Sequence, residues 1–244
     1  MKSDVFRFKQ FDVCQKRSAM KVGMDGVTLG AWALAGEPGE RLTVWDIGTG
    51  TGLIAMMIAQ RYRQAVVYAI EIAEDAAAEA TDNFARSPFA ERLHVVSGDV
   101  FDVAPTLPKP DAIVSNPPYF RNSLSAPDES RNTARHEGRL GVESLISLAS
   151  RYLGRGGQLA MILPGEQSDV VEFSAALGGM SVDRRLDLES VVGKAPVRTL
   201  WQLVKEPTGR NIMERMAVRT PAGAYTMEYY SLTNEFYLDR NDGK

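Results

Sequence analysis

From residue 42 onward, apolar positions alternate between two rhythms. "LTVWDIG", "AVVYAIE" and "LHVVSGD" are short runs dominated by β-branched and aliphatic residues. Between them, "LIAMMIAQRY" and "AEDAAAEATDNFA" are longer and repeat at helical spacing. Strand and helix in turn predict right-handed crossovers and a parallel sheet buried on both faces. The series continues with a strand at "DAIVSN", a loop of about twenty residues rich in Ser, Asn, Asp and Arg, a helix near 141–153 and a strand at "GQLAMILP". A helix over about 166–178 precedes "SVDRRLDL" and "VRTLWQLVKE", two strands close enough to predict an antiparallel finish. The pattern thus predicts one α/β domain over 41–244 with helices on both faces. Residues 1–40 do not fit the alternation and read as an arm, with "GVTLGAWALA" as a helix ended by Gly36 and Pro38. "EYYSLTNEFYLDR" reads as a C-terminal helix packed on the core.

Composition adds exclusions. The 244 residues are 44% hydrophobic and 24% charged, as expected of an ordinary soluble domain. Cys14 has no partner for an internal bridge, and no Cys/His cluster has zinc-ligand spacing, so no metal is expected. With no signal-like leader and no apolar run of membrane length, the expectation is a cytoplasmic protein without a membrane partner. It is expected to be monomeric in solution.

Net charge is −3, yet it is unevenly spread. Residues 1–21 carry six basic against two acidic side chains, as do residues 192–220, while 71–111 carry nine acidic against three basic. Such runs are often solvated faces, and they are also what a phosphate-binding surface requires.

Candidate chemistry sits at strand ends. "WDIGTGTG" follows a strand and opens a helix, where a doubly wound sheet binds a nucleotide-like ligand. Gly48, Gly50 and Gly52 let the backbone turn and approach the ligand. Their G-x-G-x-G spacing departs from the G-x-G-x-x-G of dinucleotide sites, which disfavours a nicotinamide dehydrogenase. Glu71, ending the second strand, is placed to accept hydrogen bonds from a ribose diol, and Asp99, after the third, from an adenine amino group. Each alone also fits an exposed strand end or a helix cap. Taken with the glycines, they favour an adenosine-containing cofactor held by Gly48, Thr49, Gly50, Gly52, Glu71, Ile72, Asp99 and Val100.

The fourth strand runs into "NPPY". An exocyclic amine or a carboxamide nitrogen is a poor nucleophile, because its lone pair is delocalised. The Asn116 side-chain oxygen and the Pro117 carbonyl can each accept one N–H and leave that lone pair aimed at an electrophile. Pro117 and Pro118 stiffen the backbone, so the acceptors are set in advance. Tyr119 offers an aromatic face on which a base would stack for roughly 1 to 3 kcal/mol. The tetrapeptide alone would also pass for a proline turn.

"NPPY" downstream of "DIGTGTG" resembles the amino-directed class I methyltransferases. With "MKVGMDGVTLGAWA" at 20–33, "ARHE" at 134–137 and the closing "FYL", the chain resembles the tRNA(valine) adenine-N6 methyltransferases along nearly its whole length. The resemblance implies a Rossmann-like, seven-stranded, mostly parallel sheet with an antiparallel last strand. It implies S-adenosylmethionine as cofactor and tRNA as partner, with methylation of an adenosine beside the anticodon. It places Met24 and Asp25 of the arm near the methionine end of the cofactor, where Asp46 and Asn116 also belong. Lys21, Arg135 and His136 become candidates to touch substrate, and the basic segments candidates for phosphate contacts. Met24 departs from the Thr expected before the aspartate. Two alternatives share the motif: a protein glutamine N5-methyltransferase acting on a translation factor, and a non-catalytic RNA-binding relative. The former generally has a separate N-terminal helical domain, whereas about 40 residues precede the sheet here.

Overall fold

The computed structural model describes residues 4–18, 20–36, 39–118, 140–206 and 209–238. Ahead of the alternation lies a hairpin that no sequence pattern predicts. Val5–Arg7 (β1) pairs antiparallel with Asp12–Cys14 (β2). Phe8 and Phe11 stack at its turn with ring centroids 4.8 Å apart, and Phe8 bridges to Tyr237. The "FYL" segment is therefore core packing at Phe236, which is 2% exposed.

The arm helix, Met24–Trp32 (α1), begins earlier and ends sooner than expected. Its end is set by Ala33, which turns extended, and by Leu34 at φ 64°, rather than by Gly36; Pro38 lies outside the described residues. Arg61 donates to the carbonyls of Gly30 and Ala33, supplying the cap that glycine would have given.

Thr43–Ile47 (β3), Leu53–Arg61 (α2), Val66–Glu71 (β4), Glu74–Arg86 (α3) and Leu93–Ser97 (β5) follow the predicted alternation. A single turn, Val100–Val103 (α4), precedes Ala112–Ser115 (β6). Then come Val142–Tyr152 (α5), Gln158–Leu163 (β7), Ser168–Leu177 (α6), Met180–Val191 (β8) and Pro196–Lys205 (β9). These strands lie in the order β5-β4-β3-β6-β7-β9-β8, and β9 is antiparallel to both its neighbours. This is the mostly parallel sheet with an antiparallel finish. Ile212–Arg219 (β10) adds an eighth strand, parallel to β8 at the edge. The C-terminal helix, Met227–Thr233 (α7), is shorter than the sequence suggested, because Phe236 and Tyr237 turn back toward the hairpin.

Period-two alternation divides the core. Val44, Val67, Ala69, Val114 and Ile162 pack on the face covered by α1 and α2, while Trp45, Ile47, Ile70, Ile113 and Met161 pack on the face covered by α5 and α6. Among the described residues no helix is long and apolar enough to cross a membrane, and no cluster of three or more His, Cys, Asp or Glu could hold a metal.

Candidate active site

Parallel register brings the chemistry together. Ile47 lies opposite Ile70 and Ser115, and Glu71 opposite Ser97, so β3, β4, β5 and β6 end along one edge of the sheet. The chain runs outward from β3 to β5 and then returns to β6 on the other side of β3. That reversal opens the crevice in which doubly wound folds bind ligands. A cavity of about 580 Å³ lies there. Its walls include Gly48, Thr49, Gly50, Glu71, Ile72, Asp99, Val100, Asn116 and Pro118, with Lys21, Met24 and Asp25 supplied by the arm.

The glycine loop is folded against β4. Gly48 and Thr49 N–H groups both donate to the Ile70 carbonyl, and Gly48, Gly50 and Gly52 have φ of 71°, 56° and 83°. Glu71 holds the loop in place: its Oε2 accepts from Gly50 N at 2.8 Å and its Oε1 from Ala73 N at 3.0 Å. A carboxylate has about four acceptor positions. Two are used by the backbone, which leaves capacity for a diol. Asp99 lines the cavity and also caps α4 by accepting from Phe101 N at 3.0 Å.

Asp46, Gly52 and Pro117 are not on the cavity wall. Asp46 shares the α2 face of β3, fully buried behind the loop, where its Oδ2 accepts from Thr49 Oγ1 at 2.6 Å and Ala55 N at 3.1 Å. Its Oδ1 is buried and has no hydrogen-bond partner among the described residues. Burial pushes the carboxyl up from 3.8 to about 7, against the Thr49 and Ala55 hydrogen bonds, with the Glu71 charge adding to the rise. Between those two pH values the folded protein keeps a proton that the unfolded chain has released. Stability should therefore fall as pH rises across that window, by up to about 1.4 kcal/mol per unit, and level off above it. Urea denaturation from pH 5 to 8 should show this slope in the wild type and a shallower one in Asp46→Asn; equal slopes would refute the assignment.

Asn116 follows β6 directly, and its Nδ2 points to Met20 Sδ at 3.7 Å, so the arm reaches the Asn116 side of the cavity. Asp25 is paired with Arg198 Nε at 2.7 Å, which balances its charge at the wall. Tyr119, Arg135 and His136 lie outside the described residues, as does most of the long loop. Ser18, Met20, Val22, Thr51, Ala76 and Phe101 also line the cavity and were not picked out by the sequence reading. Thr51 and Phe101 adjoin residues that were, and Met20 and Val22 fall within the 20–33 motif, whereas Ser18 had no signal beyond lying in the arm.

Several basic side chains of the stretch at 192–220 have partners within the protein. Arg198 binds Asp25, Arg215 binds Glu189, and Lys205 Nζ donates to the carbonyls of Ser150 and Leu153.

Fold and family match together place the protein among the class I methyltransferases. A predicted O-methyltransferase from Agrobacterium tumefaciens superposes with a TM-score of 0.64 at 22% identity, covering 89% of this chain and 100% of that one. A precorrin-6y C5,15-methyltransferase from Geobacter metallireducens gives 0.53 at 16%, covering 81% and 93%. Residues 34–178 match the methyltransferase small domain family. Whole-length similarity narrows this further. The tRNA1(Val) (adenine(37)-N6)-methyltransferase of Porphyromonas gingivalis is 41% identical over 97% of this chain and 96% of its own. The enzymes of that name from Tolumonas auensis and Bacteroides fragilis are 39% and 40% identical, each covering at least 96% of both chains. The chain belongs to the tRNA1(Val) (adenine(37)-N6)-methyltransferase family.

Proposed function

We propose that this protein methylates N6 of adenine 37 in tRNA1(Val), with S-adenosylmethionine as the methyl donor. The observation that carries this reading is the position of Asn116, which stands on the wall of the same cavity as the glycine loop and Glu71.

The donor set suits the cofactor. Glu71 has acceptor capacity left for ribose hydroxyls, and beside Gly48 and Gly50 a Cβ would meet nothing within 4 Å, which leaves room for close approach to the backbone. When bound, S-adenosylmethionine supplies an electrophilic methyl group. Asn116 Oδ1 accepts one N6–H from the wall, and the carbonyl of Pro117, whose two chain neighbours are both on that wall, accepts the other, turning the amine lone pair out of conjugation and toward the donor. The rigid Pro117–Pro118 backbone fixes those acceptors before reaction, so little reorganisation remains at the transition state. Tyr119 then stacks on the flipped base, offsetting the few kcal/mol needed to unstack it.

The test is to incubate the purified protein with S-adenosylmethionine and unmodified tRNA, digest the RNA and identify nucleosides by mass spectrometry. N6-methyladenosine at position 37 of one valine tRNA is the expected result. A protein that binds the cofactor but methylates no nucleoside would overturn the RNA assignment and make protein glutamine the acceptor to examine.

A further inference from the structure

Helix α3 turns one face toward the arm and the cofactor cavity. Ala76 lines the cavity in its first turns. One and two turns further on lie Glu79 and Asn83, both 0% exposed although both are polar. Glu79 Oε1 accepts from the backbone N–H of Lys16 at 2.5 Å and of Arg17 at 2.9 Å, and Oε2 accepts from Ser18 N at 2.8 Å. Three consecutive backbone donors thus converge on one carboxylate. Asn83 accepts from Cys14 N and donates to Cys14 O, in the manner of a strand neighbour, and its Nδ2 also donates to Thr51 O, each at 2.9 Å.

Two features make this more than a means of attaching an arm. Ser18, which Glu79 fixes, is itself on the cavity wall, and the chain goes on from it to Met20, Lys21 and Val22, which line the wall too. Val22 N is in turn held by Gln15 Oε1 at 2.8 Å. Thr51, the other end of the Asn83 bridge, belongs to the glycine loop. One helix face therefore joins the two walls between which a ligand would lie.

We propose that Glu79 and Asn83 are positioning residues for the methyl donor: they hold arm residues 14–18 against the glycine loop and so close the cofactor cavity on its arm side. The inference rests on the reading of that cavity as the S-adenosylmethionine site. Neither side chain lines the cavity, so cofactor affinity depends on them while the transfer step does not. Gln in place of Glu79 presents an N–H₂ to backbone donors where an oxygen was, and Ala in place of Asn83 releases both Cys14 and Thr51.

The test is isothermal titration with S-adenosylmethionine and steady-state kinetics on wild type, Glu79→Gln and Asn83→Ala, with Thr81→Ala on the exposed side of the helix as control. The two clamp variants should weaken binding and raise the cofactor KM at least about tenfold, with kcat at saturating cofactor within about twofold and the control unchanged. Trypsin should cut the ligand-free clamp variants first after Lys16, Arg17 or Lys21, and S-adenosylhomocysteine should suppress those cuts. Unchanged affinity, a loss confined to kcat, or cleavage spread over the whole chain would each overturn the proposal. Hydrogen exchange on the wild type tests it without any substitution. Amides of Lys16, Arg17 and Ser18 should exchange slowly, and more slowly with S-adenosylhomocysteine; fast exchange indifferent to ligand would overturn it. If the wild type itself fails to bind S-adenosylmethionine, the cofactor reading fails, an outcome distinct from clamp variants that bind as well as the wild type.

Discussion

Asn116→Ala is expected to lower the rate of methyl transfer by about a hundredfold to a thousandfold while S-adenosylmethionine still binds within about tenfold of the wild-type Kd. The size follows from the role. A fixed hydrogen-bonding group that matters most as charge shifts in the transition state is typically worth about 2.7 to 4 kcal/mol there. The Pro117 carbonyl would survive the substitution, so one of two acceptors is lost. Asn116 is partly buried at the end of β6, and truncating it leaves no charge unpaired and opens no large core cavity. Stability should therefore change little, which separates a catalytic loss from a folding one. Single-turnover kinetics with cofactor titration on the same preparation gives both numbers. If activity remained complete, the amine would not need this acceptor. If affinity and rate fell together, Asn116 would be holding the cofactor rather than the base.

Much of this site was legible because it sits where strands end. Strands buried on both faces must be nearly continuous apolar runs, so "VWDI", "AIE" and "AIVSN" mark their own termini, and parallel register then aligns Gly48, Glu71 and Asn116 without further information. The parts that were not legible depend on contacts between distant segments. Met20 meets Asn116 across 96 residues and Arg198 meets Asp25 across 173, distances at which no local periodicity speaks. The hairpin strands are three residues each, too short for an alternation to register. β10 was hidden by its own chemistry: "IMERMAVR" lies at the sheet edge with Glu214 and Arg215 exposed, so it reads as a charged run rather than a strand. Arg215 of this run pairs with Glu189, as Arg198 of β9 pairs with Asp25, and neither pairing shows in a count of basic residues along the chain. Asp46 shows a further limit. The motif places an acid before the glycines, and only the pleat of β3 tells which face of the sheet receives it.

The glycines of the loop are expected to fail in different ways when substituted, although the motif presents them as equivalents. Gly52→Ala should cost the fold about 2 to 5 kcal/mol. At φ 83° an L residue is strained by about 1 to 2 kcal/mol. Its Cβ would also come within 2.4 Å of Phe84 Cε1 and 2.9 Å of Cζ, an overpacking that usually costs about 1 to 3 kcal/mol. For a domain whose total stability is on the order of 5 to 15 kcal/mol, that is a large fraction. Phe84→Leu in the same chain should recover part of the loss if the ring contact is responsible. Gly50→Ala meets no such neighbour: at φ 56° it bears the strain alone, and nothing lies within 4 Å of the new methyl group. Gly50 is itself on the cavity wall. The fold should therefore lose at most about 2 kcal/mol, while affinity for S-adenosylmethionine falls more than about tenfold because the methyl group stands where the ligand approaches the backbone. Urea denaturation and calorimetric titration on both variants separate the two effects. A stable Gly52→Ala protein, or a Gly50→Ala protein that binds cofactor normally, would mean that the helix contact and the ligand contact have been assigned to the wrong glycines.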